Sequence, residues 1–206
     1  MSGRLAVIGL GPGDERYLTP EAAAALADAK ALYGYGPYLD RLPARAGQSR
    51  HPSDNREEAA RAADALRHAA QGESVAVVSG GDPGVFAMAA AICEQIAVGP
   101  QAWRALDVMF VPGITAMLAV AARIGAPLGH DFCVLSLSDN LKPWPLIERR
   151  LDAAAQAGLL SRCTTRCRAP GRGSSPPRLS ECAAICHRRY PSYSAAPSAG
   201  RTSVSR

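Results

Sequence analysis

Val77-Val78-Ser79-Gly80-Gly81-Asp82-Pro83-Gly84-Val85-Phe86 decides the fold class of this chain. An apolar run, Val75 to Val78, stops at Ser-Gly-Gly-Asp-Pro, and a helical pattern of Ala and Met then runs from about Phe86 to Val98. That order reads as a strand, a Gly-rich turn and a helix start. Two adjacent glycines let a backbone come close to a ligand. Asp82 places one carboxylate at the mouth of the turn. Crevices outside strand carboxyl ends are where open α/β sheets bind ligands. The plainer reading is a connection whose Asp caps the next helix.

The same grammar recurs on both sides. Leu5 to Leu10 is apolar and continuous enough for a buried strand, and Gly9-Leu10-Gly11-Pro12-Gly13-Asp14 is the turn that follows it. Thr19 suits an N-cap and Pro20 the first helical position of an Ala-rich helix expected to reach about Leu32. Tyr33-Gly34-Tyr35-Gly36-Pro37-Tyr38 reads as a loop, and Glu57 to Gln71 as a helix with Ala and Leu on one face. Val108 to Val111 is a further strand, ended by Pro112-Gly113-Ile114-Thr115-Ala116 and followed by a helix to about Ile124. Cys133 to Leu137 predicts a strand and Ile147 to Ala157 a helix that opens a second lobe. Strands alternating with helices imply an α/β fold with a mainly parallel sheet and flanking helices. The expected boundaries are an N-terminal lobe at 1–125, the start of a C-terminal lobe at 126–158, and an irregular basic tail at 159–206.

Composition sets the outer limits. At 206 residues the chain is long enough to bury a proper core, and 5% aromatics within 48% hydrophobic residues predicts helices built on Ala. No apolar run reaches the ~18 residues of a membrane span, and the first residues lack a secretory signal pattern, so a cytoplasmic protein without a membrane partner is expected. The net charge of +5 is unevenly placed: residues 1–158 carry 14 Lys and Arg against 17 Asp and Glu, whereas residues 159–206 carry 9 Arg against Glu181 alone. A basic segment of that kind ordinarily suggests a nucleic-acid or anionic-membrane contact, but no nucleic-acid partner is expected here, and salt-dependent retention of the tail on DNA discriminates the alternative.

Each motif has a competing reading. Gly9-x-Gly11-x-Gly13 falls short of a dinucleotide fingerprint, because the sixth position is Asp14 and Pro12 removes a backbone donor. It reads instead as a rigid turn shaping a cleft. Thr115 is placed to bond a ligand or to cap the next helix. His130 with Asp131, and Ser138 with Asp139, supply acid/base groups at loop positions; His51 and His68 are expected to be solvated. Cys163, Cys167, Cys182 and Cys186, with His187, have a spacing zinc sites permit, but no periodic pattern supplies a scaffold, so no metal is expected. Three loops after three strands tell more than any one, because parallel strand ends converge on one crevice.

Gly-Leu-Gly-Pro-Gly-Asp (9–14 with Leu10), Ser-Gly-Gly-Asp-Pro-Gly-Val-Phe (79–86) and Val-Pro-Gly-Ile-Thr-Ala (111–116), in that order, resemble the tetrapyrrole (corrin/porphyrin) methylases. Tyr33 to Asp40, Ser53-Asp54-Asn55-Arg56-Glu57-Glu58, and the segment from Leu128 to Trp144 narrow the resemblance to the branch that methylates precorrin-3B at carbon 17 in cobalamin biosynthesis. The resemblance runs from about Leu5 to Ala157. It implies a two-lobed α/β enzyme, a homodimer, with S-adenosyl-L-methionine (SAM) between the lobes and methyl transfer coupled to contraction of the macrocycle. A sister methylase acting at another precorrin carbon and a non-catalytic remnant are the alternatives. Carried over by position, Pro12, Gly80, Gly81, Asp82, Val85, Thr115 and Ala116 would meet SAM. Gly11, Gly13, Asp14, Arg56 and Lys142 would face the tetrapyrrole, and His130, Asp131 and Asp139 are the candidates for moving protons. SAM has no phosphate, so a phosphate cradle is unnecessary; its ammonium, sulfonium and ribose hydroxyls suit a carboxylate and backbone carbonyls.

After Gly158 hydrophobic periodicity vanishes, and no strand or helix beyond a few residues is expected. Back-translated with free choice of Arg, Cys and Thr codons and read from the third base of each codon, residues 161–175 permit Ala-Leu-Tyr-Asn-Pro-Val-Ser-Arg-Pro-Arg-Pro-Trp-Gln-Leu. That is the segment the resemblance calls for, so a frameshift near Gly158–Leu160 is expected. With most of the second lobe replaced, the chain as written is expected to bind SAM weakly or not at all.

Overall fold

Strand β1 (Arg4–Gly9) is flanked on both sides in a parallel sheet, with Val7 opposite Val77 of β4 (Ser74–Ser79) and opposite Phe110 of β5 (Asp107–Val111). Two further strands, β2 (Ala31–Tyr35) and β3 (Ser49–Ser53), complete the order β3-β2-β4-β1-β5, all pairs parallel. The computed structural model describes residues 3–125, 128–138 and 142–164. The chain divides into two compact units, Met1–Pro127 and Leu128–Arg206.

The central strands are covered on both faces, which is why Leu5–Ile8 and Val75–Val78 read as unbroken apolar runs. Alternate residues feed opposite cores. Leu5, Val7, Val75 and Val77 pack with Leu66 of α3 (Glu58–Ala69) and with Met88 and Ile92 of α4 (Met88–Val98). Ala6, Ile8, Ala76 and Val78 pack with Ala22 and Leu26 of α1 (Pro20–Asp28) and with Leu39 of the single-turn helix α2 (Gly36–Leu39). Truncating Leu66, fully buried, to Ala would cost about 2–5 kcal/mol through lost burial and the cavity left. Thr19 caps α1 as expected, its Oγ1 accepting from the Ala22 N–H at 3.1 Å, with Pro20 in the first turn. Helix α5 (Ala116–Arg123) follows β5.

Three sequence expectations need correction. The first helix ends at Asp28 rather than Leu32, and Ala31–Tyr35 is a buried strand, not helix end and loop. Gly34 disguised it, yet that glycine is required: a Cβ there would lie 2.6 Å from Val78 Cγ2 of the neighbouring strand. β3 carries Pro52, tolerable because β3 is an edge strand and needs no donor on its open side. Helix α4 starts at Met88, not Phe86: Phe86 has φ +54° and Ala87 is the N-cap, because the Asp82–Gly84 turn has not yet released the chain.

In the second unit, β6 (Phe132–Ser136) and β7 (Leu160–Thr164) pair in parallel, joined through α6 (Trp144–Gln156). Its core is Leu137, Ile147 and Leu151, with Leu135 and Trp144 packed against it. β7 corrects the expectation that irregular chain begins at 159. Gly158, at φ +72°, turns the chain out of α6, and the pairing edge of β6 imposes extended structure on residues without a strand pattern of their own.

Candidate functional site

The loops after β1, β4 and β5 meet because those three strands are adjacent in the sheet and parallel. Gly11 and Gly81 form a reciprocal antiparallel bridge, Gly11 N–H to Gly81 C=O at 3.1 Å and Gly81 N–H to Gly11 C=O at 2.9 Å. Both have left-handed φ, +68° and +71°. Gly9 and Gly113 are needed for proximity: a Cβ on Gly9 would lie 2.7 Å from Gly81 O and from Gly113 N, and one on Gly113 would collide with Gly81 O.

Asp82 joins the second loop to the third. Its Oδ1 accepts from the Gly84 N–H at 2.8 Å and its Oδ2 from the Gly113 N–H at 3.0 Å. Asp82 therefore neither stands free nor caps α4; it staples two loops. Gly80 is set by Tyr38, since a Cβ on Gly80 would lie 2.7 Å from the Tyr38 ring. Val85 is half-buried in the turn, its N–H bonded to Asp82 O at 3.3 Å. Thr115 is the N-cap of α5, its Oγ1 accepting from the Met117 N–H at 3.3 Å, and Ala116 opens that helix.

Pro12 is half-buried and Gly13 exposed, at φ +150°. Asp14 caps a short 3-10 turn and accepts from both the Arg16 N–H at 3.0 Å and the Arg16 guanidinium at 2.7 Å. The Arg16 hydrogen bonds hold its pKa down to about 2, so Asp14 is an anion already paired.

Arg56 is exposed at φ +73° in the turn between β3 and α3. His130 and Asp131 are exposed residues just ahead of β6, and Lys142 is half-buried ahead of α6. Asp139 lies outside the described residues, as do Cys167, Cys182, Cys186 and His187. The structure thus brings together Gly11, Gly80, Gly81, Asp82, Thr115 and Ala116 in the first unit.

Four residues went unread in the sequence. Arg41 donates through Nη2 to the carbonyls of Leu10, Gly11 and Gly13 at 3.0, 3.2 and 3.0 Å. Tyr38 packs on Gly80 as described. Arg61, only 5% exposed, ties Ser53 Oγ (2.6 Å) and Asp54 O (2.7 Å) to α3. Tyr33 stacks on His51 at 4.3 Å and meets His68 Nδ1 through its hydroxyl at 3.1 Å, so the two histidines are half-buried partners rather than solvated. Burial lowers the His51 pKa below 6.5, and raises that of the Tyr33 phenol. No local pattern announces these contacts; each joins residues seven or more apart in the chain.

Among the described residues no group of three or more His, Cys, Asp or Glu is disposed to hold a metal ion, and no helix is long and apolar enough to cross a membrane.

Residues 4–166 match the profile of the Tetrapyrrole (Corrin/Porphyrin) Methylases. The chain is 62% identical over 160 residues to a precorrin-3B C(17)-methyltransferase from Sinorhizobium sp, which covers 78% of this chain and 63% of that relative; the chain thus spans less than two thirds of its length. The crystal structure of the methyltransferase CobJ is similar at a TM-score of 0.83 and 47% identity, over 91% of this chain and 76% of that one. A crystal structure of uroporphyrin-III C-methyltransferase from Thermus thermophilus complexed with S-adenyl homocysteine is similar at a TM-score of 0.50 and 26% identity, over 65% of this chain and 59% of that one. The motif order, the parallel sheet and these matches lead to one conclusion: the chain belongs to the tetrapyrrole (corrin/porphyrin) methylases.

Proposed function

We propose that this chain carries the SAM-facing lobe of a methyltransferase acting on precorrin-3B at carbon 17. The observation that carries the reading is the convergence of three glycine loops on one another at the carboxyl ends of β1, β4 and β5, locked by Asp82. The names of the 62% identical relative and of the 47% identical structure support the reaction. The complex of the Thermus thermophilus relative with S-adenyl homocysteine supports the ligand.

The residues present fit a sulfonium nucleoside better than a dinucleotide. Pro12 offers no N–H, and the Gly11 N–H is committed to Gly81 O at 3.1 Å, so the first loop lacks the ring of free donors a pyrophosphate needs. Around Gly81 there is room: a Cβ there would find nothing closer than 3.8 Å. Gly80, Gly81, Asp82, Val85, Thr115 and Ala116, with Pro12, would hold SAM. Bound there, SAM supplies an electrophilic methyl group for an in-line displacement. The chain's own contribution is positioning, which in such displacements supplies most of the rate. Asp82 keeps lone pairs on both oxygens after its two backbone contacts, so it retains acceptor capacity for an ammonium or a hydroxyl. Gly11, Gly13, Asp14, Arg56 and Lys142 would face the macrocycle, Arg56 and Lys142 matching its carboxylates. His130, Asp131 and Asp139 would move the protons of ring contraction. The working form would be a homodimer.

Isothermal titration of the chain with S-adenosylhomocysteine tests the reading. Saturable one-to-one heat, however weak, that disappears in Gly81→Val supports it. No heat up to about millimolar ligand, a binding free energy under roughly 4 kcal/mol, sinks cofactor binding by this chain and leaves the reaction a statement of its descent, as loss of most of the second lobe would require.

A further inference from the structure

We infer that Arg41 is a positioning residue of the cofactor loops, acting through the first loop on the second and third. A single nitrogen, Nη2, meets the carbonyls of Leu10, Gly11 and Gly13 within 3.2 Å. Its two hydrogens are shared among three acceptors, an arrangement that only a cation makes favourable. Those acceptors bracket Pro12 and include Gly11, whose backbone is left-handed and whose N–H and C=O both pair with Gly81. Gly81 leads directly into Asp82, which holds Gly113. One guanidinium therefore stands at the head of a continuous hydrogen-bonded series through all three loops.

The residues beside Arg41 set a second loop from the same place. Helix α2 is seated by buried Leu39, and Tyr38, three residues before Arg41, packs on Gly80. Arg41 and Tyr38 thus govern the first and second loops from one helical turn and the residue pair that follows it. The guanidinium is also incompletely used. Among the described residues its Nε is buried with no hydrogen-bond partner. A buried donor left in that state is a cost that a residue serving only as surface charge would not carry. Arg41 does not touch the reacting atoms in this reading; it sets the direction in which the loop carbonyls point.

The test uses Arg41→Ala and Arg41→Lys in the full chain, with two readouts. Amide hydrogen exchange at Gly11 and Gly81 is expected to quicken by about tenfold or more in Arg41→Ala while the β4 core amides stay protected. Lys, one bond shorter, is expected to recover only part of that protection. Free guanidinium at tens of millimolar is expected to restore Arg41→Ala towards the parent, which a general loss of packing would not allow. The second readout rests on the SAM reading: the S-adenosylhomocysteine dissociation constant is expected to rise about tenfold in Arg41→Ala. Exchange and affinity both within twofold of the parent would overturn the proposal, as would failure of guanidinium to rescue. If the parent chain binds no S-adenosylhomocysteine, the cofactor reading falls, and the exchange and rescue results still decide the role of Arg41.

Discussion

Asp82 Oδ2 accepts a hydrogen bond from the Gly113 N–H at 3.0 Å, across 31 residues of chain. The same carboxylate holds the Gly84 N–H at 2.8 Å through its other oxygen. A negative charge placed between two backbone donors keeps the loops after β4 and β5 at a fixed separation.

Asp82→Ala removes the acceptor from both donors at once. Hydrogen bonds to charged groups contribute about 1.5–3 kcal/mol, so a loss near that size is expected in urea denaturation of the chain. Asp82→Asn keeps one carbonyl oxygen and is expected to lose about half as much. Equal midpoints for Asp82→Ala and the parent would remove the staple from the account.

Gly113→Ala and Gly81→Ala separate two reasons for needing glycine. A Cβ on Gly113 would collide with the carbonyl oxygen of Gly81, a backbone atom that cannot swing aside. A Cβ on Gly81 makes only ordinary contacts, nothing closer than 3.8 Å, but sits on a backbone with φ +71°. Gly113→Ala is expected to cost about 1–3 kcal/mol by forcing the loops apart, and to weaken S-adenosylhomocysteine binding at least tenfold. Gly81→Ala is expected to cost about 1–2 kcal/mol of backbone strain with a smaller effect on binding. Calorimetric titration beside denaturation distinguishes the two patterns; the reverse order of binding losses would contradict the geometry.

Arg61 is buried and joins α3 to the end of β3 through Ser53 Oγ and Asp54 O, with Met88 Sδ against Nη1 at 3.3 Å. Burial lowers its pKa, yet a guanidinium remains a cation at any working pH. Arg61→Ala leaves three partners and a cavity, and a loss of about 2–4 kcal/mol is expected. Arg61→Lys is expected to recover less than half, because a single ammonium cannot reach both loop oxygens and the sulfur. Denaturation midpoints of the two variants check both figures.

The Tyr33–His51–His68 group predicts a pH dependence. Burial lowers the folded pKa of His51 below 6.5; the charge of His68 acts in the same direction, and Asp64 opposes it. The unfolded chain then binds a proton before the folded chain does, so stability falls as pH drops through about 6.5 and levels off below the folded pKa. His51→Phe keeps the stack on Tyr33 and is expected to flatten that slope. Urea midpoints between about pH 5 and 8 provide the check, and a slope that persists unchanged in His51→Phe would assign it elsewhere.

Much of the architecture was legible in one dimension. β1 and β4 read as strands because burial on both faces leaves an unbroken apolar run, and the half-exposed edge strand β5 from its short Val-Met-Phe-Val run. The loops after them read as site loops because glycine, proline and aspartate at strand ends have few other uses. The Thr19 and Thr115 caps followed from residue type and position. Motif order alone placed the chain in its family. What the tertiary structure alone decided is where pairing overrides local pattern. β2 is a strand because β4 lies against it and leaves no room for a side chain at Gly34; β3 tolerates Pro52 because it lies at an edge; β7 extends because β6 pairs with it. The strand order β3-β2-β4-β1-β5 brings the three loops into contact, and that contact makes Asp82 a staple between two of them as well as a candidate ligand group, and recruits Arg41 to the first. Periodicity reports which face of a segment is buried. It carries no information about which distant backbone a carboxylate or guanidinium will meet, since that depends on neighbours supplied by the sheet.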